Sequence, residues 1–295
     1  MSILKVDNLS KDYGKIKALQ NISFHVPEGS IYGILGPNGS GKTTLLGIIM
    51  DVLKSSGGSY QLFDENPADS HRKRIGTLLE TPNFYHYLSA VQNLKITAAI
   101  KNRPVEDIDR VLDVVNLTQR KHSKFSTYSL GMKQRLAIAN ALLGDPEVLV
   151  LDEPTNGLDP VGIAEIRMLI QQLAQQGKTI IMASHMLDEV EKVCTHVAIL
   201  KYGHLITHGD VNEILSNDDI VEVASIDVAK LKNALINFPG NPQVQIKENV
   251  VHLNFPAGTA NLEEVNRFCF ERGIVLSQLQ LKKKSLESKF LELTN

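Results

Sequence analysis

The run Gly36-Pro37-Asn38-Gly39-Ser40-Gly41-Lys42-Thr43-Thr44 constrains this chain more than any other stretch, because it satisfies the phosphate-loop pattern of fixed glycines followed by Lys and Thr. The apolar run 31–35 before it reads as a buried strand, and 43–53 after it carries helical apolar spacing. Strand, loop and helix therefore stand in the required order. Backbone N–H groups of such a loop and of the helix N-terminus converge on an anion, and a bulky or φ-restricted residue would spoil that concavity. Glycine at 36, 39 and 41 follows. Lys42 supplies a point charge to the β- and γ-phosphates, and the Thr43 hydroxyl is suited to ligate Mg²⁺. The sequence thus predicts a nucleoside triphosphate site.

A second element is Val148-Leu149-Val150-Leu151-Asp152-Glu153-Pro154, where four apolar residues end in two adjacent acids. Buried parallel strands are near-continuously apolar, and ligands sit at their carboxyl ends. Asp152 is accordingly the expected metal carboxylate and Glu153 the expected general base or water-polarising residue.

A length of 295 residues with 43% hydrophobic residues suits one large domain plus a small one. The formal net charge of −2 gives no footprint for bulk nucleic-acid binding, and no nucleic-acid partner is expected. Lys282-Lys283-Lys284 is the compact basic run, expected as a solvated segment before a last helix. Cys194 and Cys269 lie far apart without metal-ligand spacing, which suggests reduced, buried thiols in a cytosolic protein. No window approaches the roughly 18 apolar residues of a membrane span, so a soluble chain is expected.

Early strands around 4–6 and 22–26 resemble an antiparallel element, and 89–117 reads as helical with a break at Pro104. Helix 129–143, strand 148–151, helix 160–176, strand 179–183, helix 186–194 and strand 196–200 form a doubly wound α/β pattern. A boundary is placed at 216/217. Beyond it, 220–223, 228–236, 244–246, 250–255, 262–272 and 275–279 read as β-α-β-β-α-β, the ferredoxin-like order, followed by a helix over 285–293.

The two nucleotide elements alone leave a kinase, a GTPase or a mechanochemical ATPase open. Between them, Tyr128-Ser129-Leu130-Gly131-Met132-Lys133-Gln134-Arg135 opens the helix leading to Asp152 and Glu153, and it resembles the signature motif of ATP-binding-cassette ATPases. Leu130 stands where that family usually has its first glycine, and Met132 where it usually has glutamine. Further elements fall in the family's order. Tyr13 matches the aromatic that stacks on adenine, Asn156-Gly157-Leu158-Asp159-Pro160 the loop communicating between opposed sites, and His185 the histidine that contacts the γ-phosphate and orients water. Glu80 stands where the family commonly has a glutamine that reaches Mg²⁺ and water. That variant, with Pro82, Phe84-Tyr85 and Leu88-Ser89-Ala90, resembles the bacitracin-resistance and lantibiotic-immunity branch of exporter ATPases.

The resemblance covers about 1–216 and implies a P-loop cassette: a RecA-like core with an antiparallel β subdomain and a helical subdomain, followed by a small α+β accessory domain over 217–295. It implies an ATPase that uses ATP and Mg²⁺. The ATP ligands would be Tyr13, Gly36 to Thr44, Ser129, Gly131 and Asp159, the Mg²⁺ ligands Thr43, Glu80 and Asp152, and the catalytic pair Glu153 and His185. It also implies a second cassette, expected in a homodimer, because Ser129 and its helix N-terminus would bind the γ-phosphate held by the opposite subunit. A separate integral membrane permease would hold the protein at the cytoplasmic face and export antimicrobial peptides or drugs. A soluble cassette ATPase acting on ribosomes or nucleic acid is the alternative. It sits poorly with a single phosphate loop and the lack of sustained heptads.

Overall fold

The computed structural model describes residues 1–79, 83–215, 219–256, 258–283 and 286–294. The chain divides into two compact units, Met1–Gly209 and Asp210–Asn295.

In the first unit, β1 (Ser2–Tyr13) and β2 (Ile16–Pro27) form a long antiparallel hairpin. β3 (Ile31–Leu35) then leads through the glycine-rich loop into α1 (Lys42–Ile49), and β4 (Gly57–Leu62) returns to pair with β1. Leu4, Val6 and Leu9 of β1 and Leu19, Ile22 and Val26 of β2 are buried. They share one core with Leu45, Leu46, Ile48 and Ile49 of α1. The hairpin is much longer than the short strands expected from the sequence.

α2 (Asp69–Arg72), β5 (Ile75–Leu78), α3 (Ala90–Ile100), α4 (Asp107–Val114), α5 (Leu130–Leu142), β6 (Val148–Asp152), α6 (Pro160–Gln175), β7 (Thr179–Ser184), α7 (Leu187–Glu191), β8 (His196–Lys201) and β9 (His204–Asp210) complete this unit. The second sheet runs β5-β6-β7-β3-β8-β9, with β5 to β6, β6 to β7, β7 to β3 and β3 to β8 parallel. All five residues of β6 and all six of β7 are buried, as strands covered on both faces must be. The register pairs Leu35 with Ser184 and Asp152 with Ala183, so β3, β6 and β7 end at one level. The glycine-rich loop, Glu153 and His185 leave the sheet at that level.

The helix starts follow local chemistry. Ser89 and Gln92 close a reciprocal capping box on α3, Ser129 accepts from Met132 N at 3.3 Å on α5, and Asp159 accepts from Gly162 N at 3.0 Å on α6, where Pro160 takes the first turn. α1 differs. It begins after Gly41 with no side-chain cap, leaving its first N–H groups turned toward the loop.

The second unit comprises α8 (Val211–Leu215), β10 (Asp219–Ser225), α9 (Val228–Leu235), β11 (Gln243–Lys247), β12 (Val250–Phe255), α10 (Leu262–Phe270), β13 (Leu276–Lys283) and α11 (Leu286–Thr294). Its sheet runs β11-β12-β10-β13 and every pairing is antiparallel. Val221, Val223, Val251 and Leu253 pack with Leu231, Leu235, Val265, Phe268 and Cys269 in one core.

Glu222, between two of those core positions, faces the other way. Gln280 Nε2 donates to its carboxylate at 2.6 Å and Lys282 Nζ at 3.0 Å. Burial pushes the Glu222 carboxyl up, but the Gln280 amide and the Lys282 ammonium outweigh it and hold it below the usual carboxylate range. Lys282 is thus an exposed strand residue whose ammonium also has a carboxylate partner. A carboxyl held low in the fold stabilises it above its ordinary titration range, and that contribution is lost as pH falls through the lowered value. Glu222→Gln should therefore lower the melting temperature near pH 7, and the difference from the parent should shrink as pH is taken below about 4, which thermal unfolding at stepped pH would measure.

Candidate active site

A cavity of about 510 Å³ opens over the glycine-rich loop, lined by Asn38, Gly39, Gly41, Lys42, Thr43, Thr44 and Glu153, and by Ile16, Lys17, Ala18 and Tyr202 from β2 and the β8–β9 turn. The loop can pass here only as glycine. Gly36 has φ +153°, and a Cβ on it would lie 2.2 Å from Leu200 O; Gly41 has φ +106°, and a Cβ would lie 2.6 Å from Ala18 O.

Lys42 is buried, and its ammonium donates to Gly36 O at 2.8 Å and Pro37 O at 3.3 Å. The same nitrogen lies 3.5 Å from Glu153 Oε1. The loop carbonyls thus hold the cation inside the cradle. Ser40 Oγ is buried with no hydrogen-bond partner among the described residues, so the loop also keeps an unspent hydroxyl.

Thr43 Oγ1 donates to Asp152 Oδ2 at 2.9 Å, joining the first turn of α1 to the last residue of β6. Both groups offer oxygen, the donor type that a hard divalent cation takes, so this pair suits Mg²⁺.

Beside them, Glu153 Oε2 and His185 Nδ1 are 2.9 Å apart. Glu153 has φ +48°, and its N–H donates to Ala183 O at 3.0 Å. A non-glycine residue in that region costs about 1–3 kcal/mol, and such strain concentrates where function requires a particular side-chain direction. Here it sends the carboxylate between Lys42 and His185.

The other expected residues lie outside the cavity lining. Tyr13 ends β1 opposite Ile16, is 45% exposed, and has Lys11 Nζ 4.9 Å from its ring centroid. Ser129 and Gly131 stand at the start of α5 and Asp159 at the start of α6. A Cβ on Gly157 would lie 3.2 Å from Leu130 Cδ2, so the α5 start and the 156–159 loop adjoin each other. Within the single chain they are not brought to the phosphate loop's cavity. Glu80 and Pro82 lie outside the described residues. Ile16, Lys17, Ala18 and Tyr202 escaped the sequence reading. They follow no motif, and only the Tyr202-Gly203 turn carried a local signal.

This fold, with a phosphate loop after β3, a histidine following the neighbouring strand β7 and an acidic pair closing β6 beyond it, defines a P-loop ATPase cassette. The sequence pattern of the family described as ABC transporter matches residues 19–156. The bacitracin transport ATP-binding protein BcrA of Enterococcus faecalis is 32% identical over 298 residues, covering 99% of this chain and 96% of that protein. The lantibiotic transport ATP-binding protein SrtF of Streptococcus pyogenes is 37% identical over 204 residues, covering 69% of this chain and 89% of its own length. A solved dimeric structure of the ATP-binding cassette MJ0796 in a post-hydrolysis state, bound to ADP and Pi, matches with TM-score 0.62 and 26% identity, over 70% of this chain and 98% of that one. The chain belongs to the ATP-binding proteins of ABC transporters, the ATPase subunits of those machines, and is homologous to bacitracin and lantibiotic transport ATP-binding proteins.

Gly36→Ala tests the cradle. With Leu200 O and the Ser40 side chain in the way, the variant should lose about 1–3 kcal/mol of stability and most nucleotide affinity, read by chemical denaturation and equilibrium ATP binding.

Proposed function

We propose that this chain is the motor subunit of an exporter: it binds Mg·ATP in the phosphate-loop cavity, pairs with a second copy, and drives a separate permease from the cytoplasmic face of a membrane. The observation that carries this reading is the meeting of Lys42, Thr43 and Glu153 at one cavity, with Asp152 bonded to Thr43 and His185 to Glu153 behind its lining. Among the described residues no helix is long and apolar enough to cross a membrane.

Gly36, Pro37, Asn38, Gly39, Ser40, Gly41 and Thr44 wrap the phosphates through backbone N–H groups, and Lys42 turns from its loop carbonyls to the β- and γ-phosphates. Thr43 and Asp152, with Glu80 as a third candidate, would hold Mg²⁺, whose charge would offset that of the triphosphate. Glu153 accepts a proton from the attacking water, and His185 orients Glu153 and the water. Tyr13 offers its ring to the base. Most of the rate enhancement then comes from positioning and charge neutralisation.

Ser129, Gly131 and Asp159 lie away from the cavity of their own chain, which supports a role at a site completed by a second copy. The dimeric cassette bound to ADP and Pi supports the same reading. A helix N-terminus with a hydroxyl cap suits an anion presented by the partner. The names of the relatives favour antimicrobial peptides as cargo.

In 217–295, two α-β hand-overs and the β11-β12-β10-β13 order support a ferredoxin-like accessory domain. Its place outside the matched pattern supports partner contact or regulation rather than chemistry.

Glu153→Gln should bind ATP as the parent does yet hydrolyse it about 10²–10⁴-fold more slowly, and it should accumulate as a dimer with ATP. Phosphate release and size-exclusion chromatography measure both, and hydrolysis at the parent rate would remove Glu153 from its role. Crosslinking that variant in cells should recover a multi-span membrane protein; recovery of ribosomal proteins instead would overturn the transport reading.

A further inference from the structure

The phosphate end of the cavity is built from main-chain groups and charge, but a nucleotide also carries a flat apolar base. The cavity offers apolar surface through Ile16, Ala18 and Tyr202. Ile16 is 69% and Tyr202 75% exposed, a pairing of large apolar groups at a cavity mouth that water covers poorly.

Tyr202 sits where turn geometry disfavours it. β8 and β9 are neighbours in the sheet and are joined by Tyr202 and Gly203 alone, with φ +50° and +78°. Two positive φ values in a two-residue hairpin connection are the type I′ arrangement, whose first position favours Asn, Asp or Gly. A tyrosine there costs local stability without relieving any packing, because its ring stands in solvent.

The turn is nevertheless fixed firmly to the nucleotide loop. Gly203 N donates to Ser40 O at 3.1 Å, while Gln20 holds the turn from β2, with its N–H on Gly203 O at 2.8 Å and its Nε2 on Tyr202 O at 3.1 Å. A Cβ at Gly203 would lie 2.8 Å from Ala18 O, so the second turn position is closed to other residues. A strained backbone, an exposed ring and a rigid tie to the phosphate loop coincide at one residue.

We propose that Tyr202 is a nucleobase-contacting residue, its ring closing over the purine or ribose of a nucleotide whose phosphates lie in the glycine-rich loop. The proposal rests on the phosphate-loop reading given above. Tyr202 lies outside the matched family pattern and acts in addition to Tyr13, which does not line the cavity. Lys201 Nζ, 5.6 Å from the Tyr202 centroid, enriches the ring's surroundings in positive charge.

The test compares ADP with pyrophosphate, which shares the phosphates and lacks the base, by calorimetric titration of the full chain with Mg²⁺ present. Tyr202→Asn restores a residue that the turn favours, so its melting temperature should equal or exceed the parent's. Its ADP affinity should nonetheless fall roughly three- to tenfold, the worth of one aromatic contact, with pyrophosphate affinity unchanged. Tyr202→Phe should restore ADP binding to within about twofold, since the ring is retained. Tyr202→Asn binding ADP as the parent does, or losing ADP and pyrophosphate affinity equally, would overturn the assignment. Lys42→Ala distinguishes the two readings: if it binds ADP as well as the parent, the phosphate-loop site itself is wrong and the role of Tyr202 falls with it.

Discussion

The close approach of the glycine-rich loop to two main-chain carbonyls, Leu200 O of β8 and Ala18 O of β2, is the constraint from which the rest of the site follows. Any side chain at Gly36 or Gly41 would push the loop off both strands, and the N–H groups would no longer converge. The loop therefore takes its shape from segments far away in sequence, not from its own composition alone. Gly203 N on Ser40 O and Gln20 N on Gly203 O tie the same three segments together. The anion cradle is the meeting point of two sheets.

The charged groups extend this arrangement. Lys42 can be buried because Gly36 O, Pro37 O and Glu153 surround its ammonium, which compensates the lost hydration. Asp152 is likewise buried and accepts the Thr43 hydroxyl. Glu153, one residue beyond, leaves the strand in a left-handed conformation, so two consecutive carboxylates meet different partners, Thr43 for Asp152 and Lys42 and His185 for Glu153. The entirely buried strands β6 and β7 hold that strain in place.

Much of this was legible in the sequence, for physical reasons. Phosphate binding restricts residue identity at adjacent positions, so Gly36 to Thr44 is readable locally, and the apolar run ending in Asp152 and Glu153 reports a strand buried on both faces. Ser89, Ser129 and Asp159 marked helix starts through side-chain chemistry that acts within three residues. The hairpin was far less legible. Register shifts in β1 between Val6 and Leu9, Leu9 and Lys11, and Lys11 and Asp12 break the alternation by which a strand is recognised, and Asn8 and Asn21 take positive φ inside it. Glu222 and its partners were invisible because Glu222, Gln280 and Lys282 meet only through strand pairing. The apolar part of the cavity comes from segments joined by no motif.

Ser129 caps α5 by accepting a hydrogen bond from Met132 N. An aspartate or asparagine would cap the helix about as well, so stability alone does not select serine. The difference lies in what remains afterwards. A capping carboxylate presents only lone pairs and a negative charge, whereas a hydroxyl that has accepted still owns a proton, held outward by the bond it has already made. The cap thus converts a freely rotating hydroxyl into a directed donor beside the uncompensated N–H groups of the first turn. Helix initiation and a directed donor become one property of a single oxygen atom.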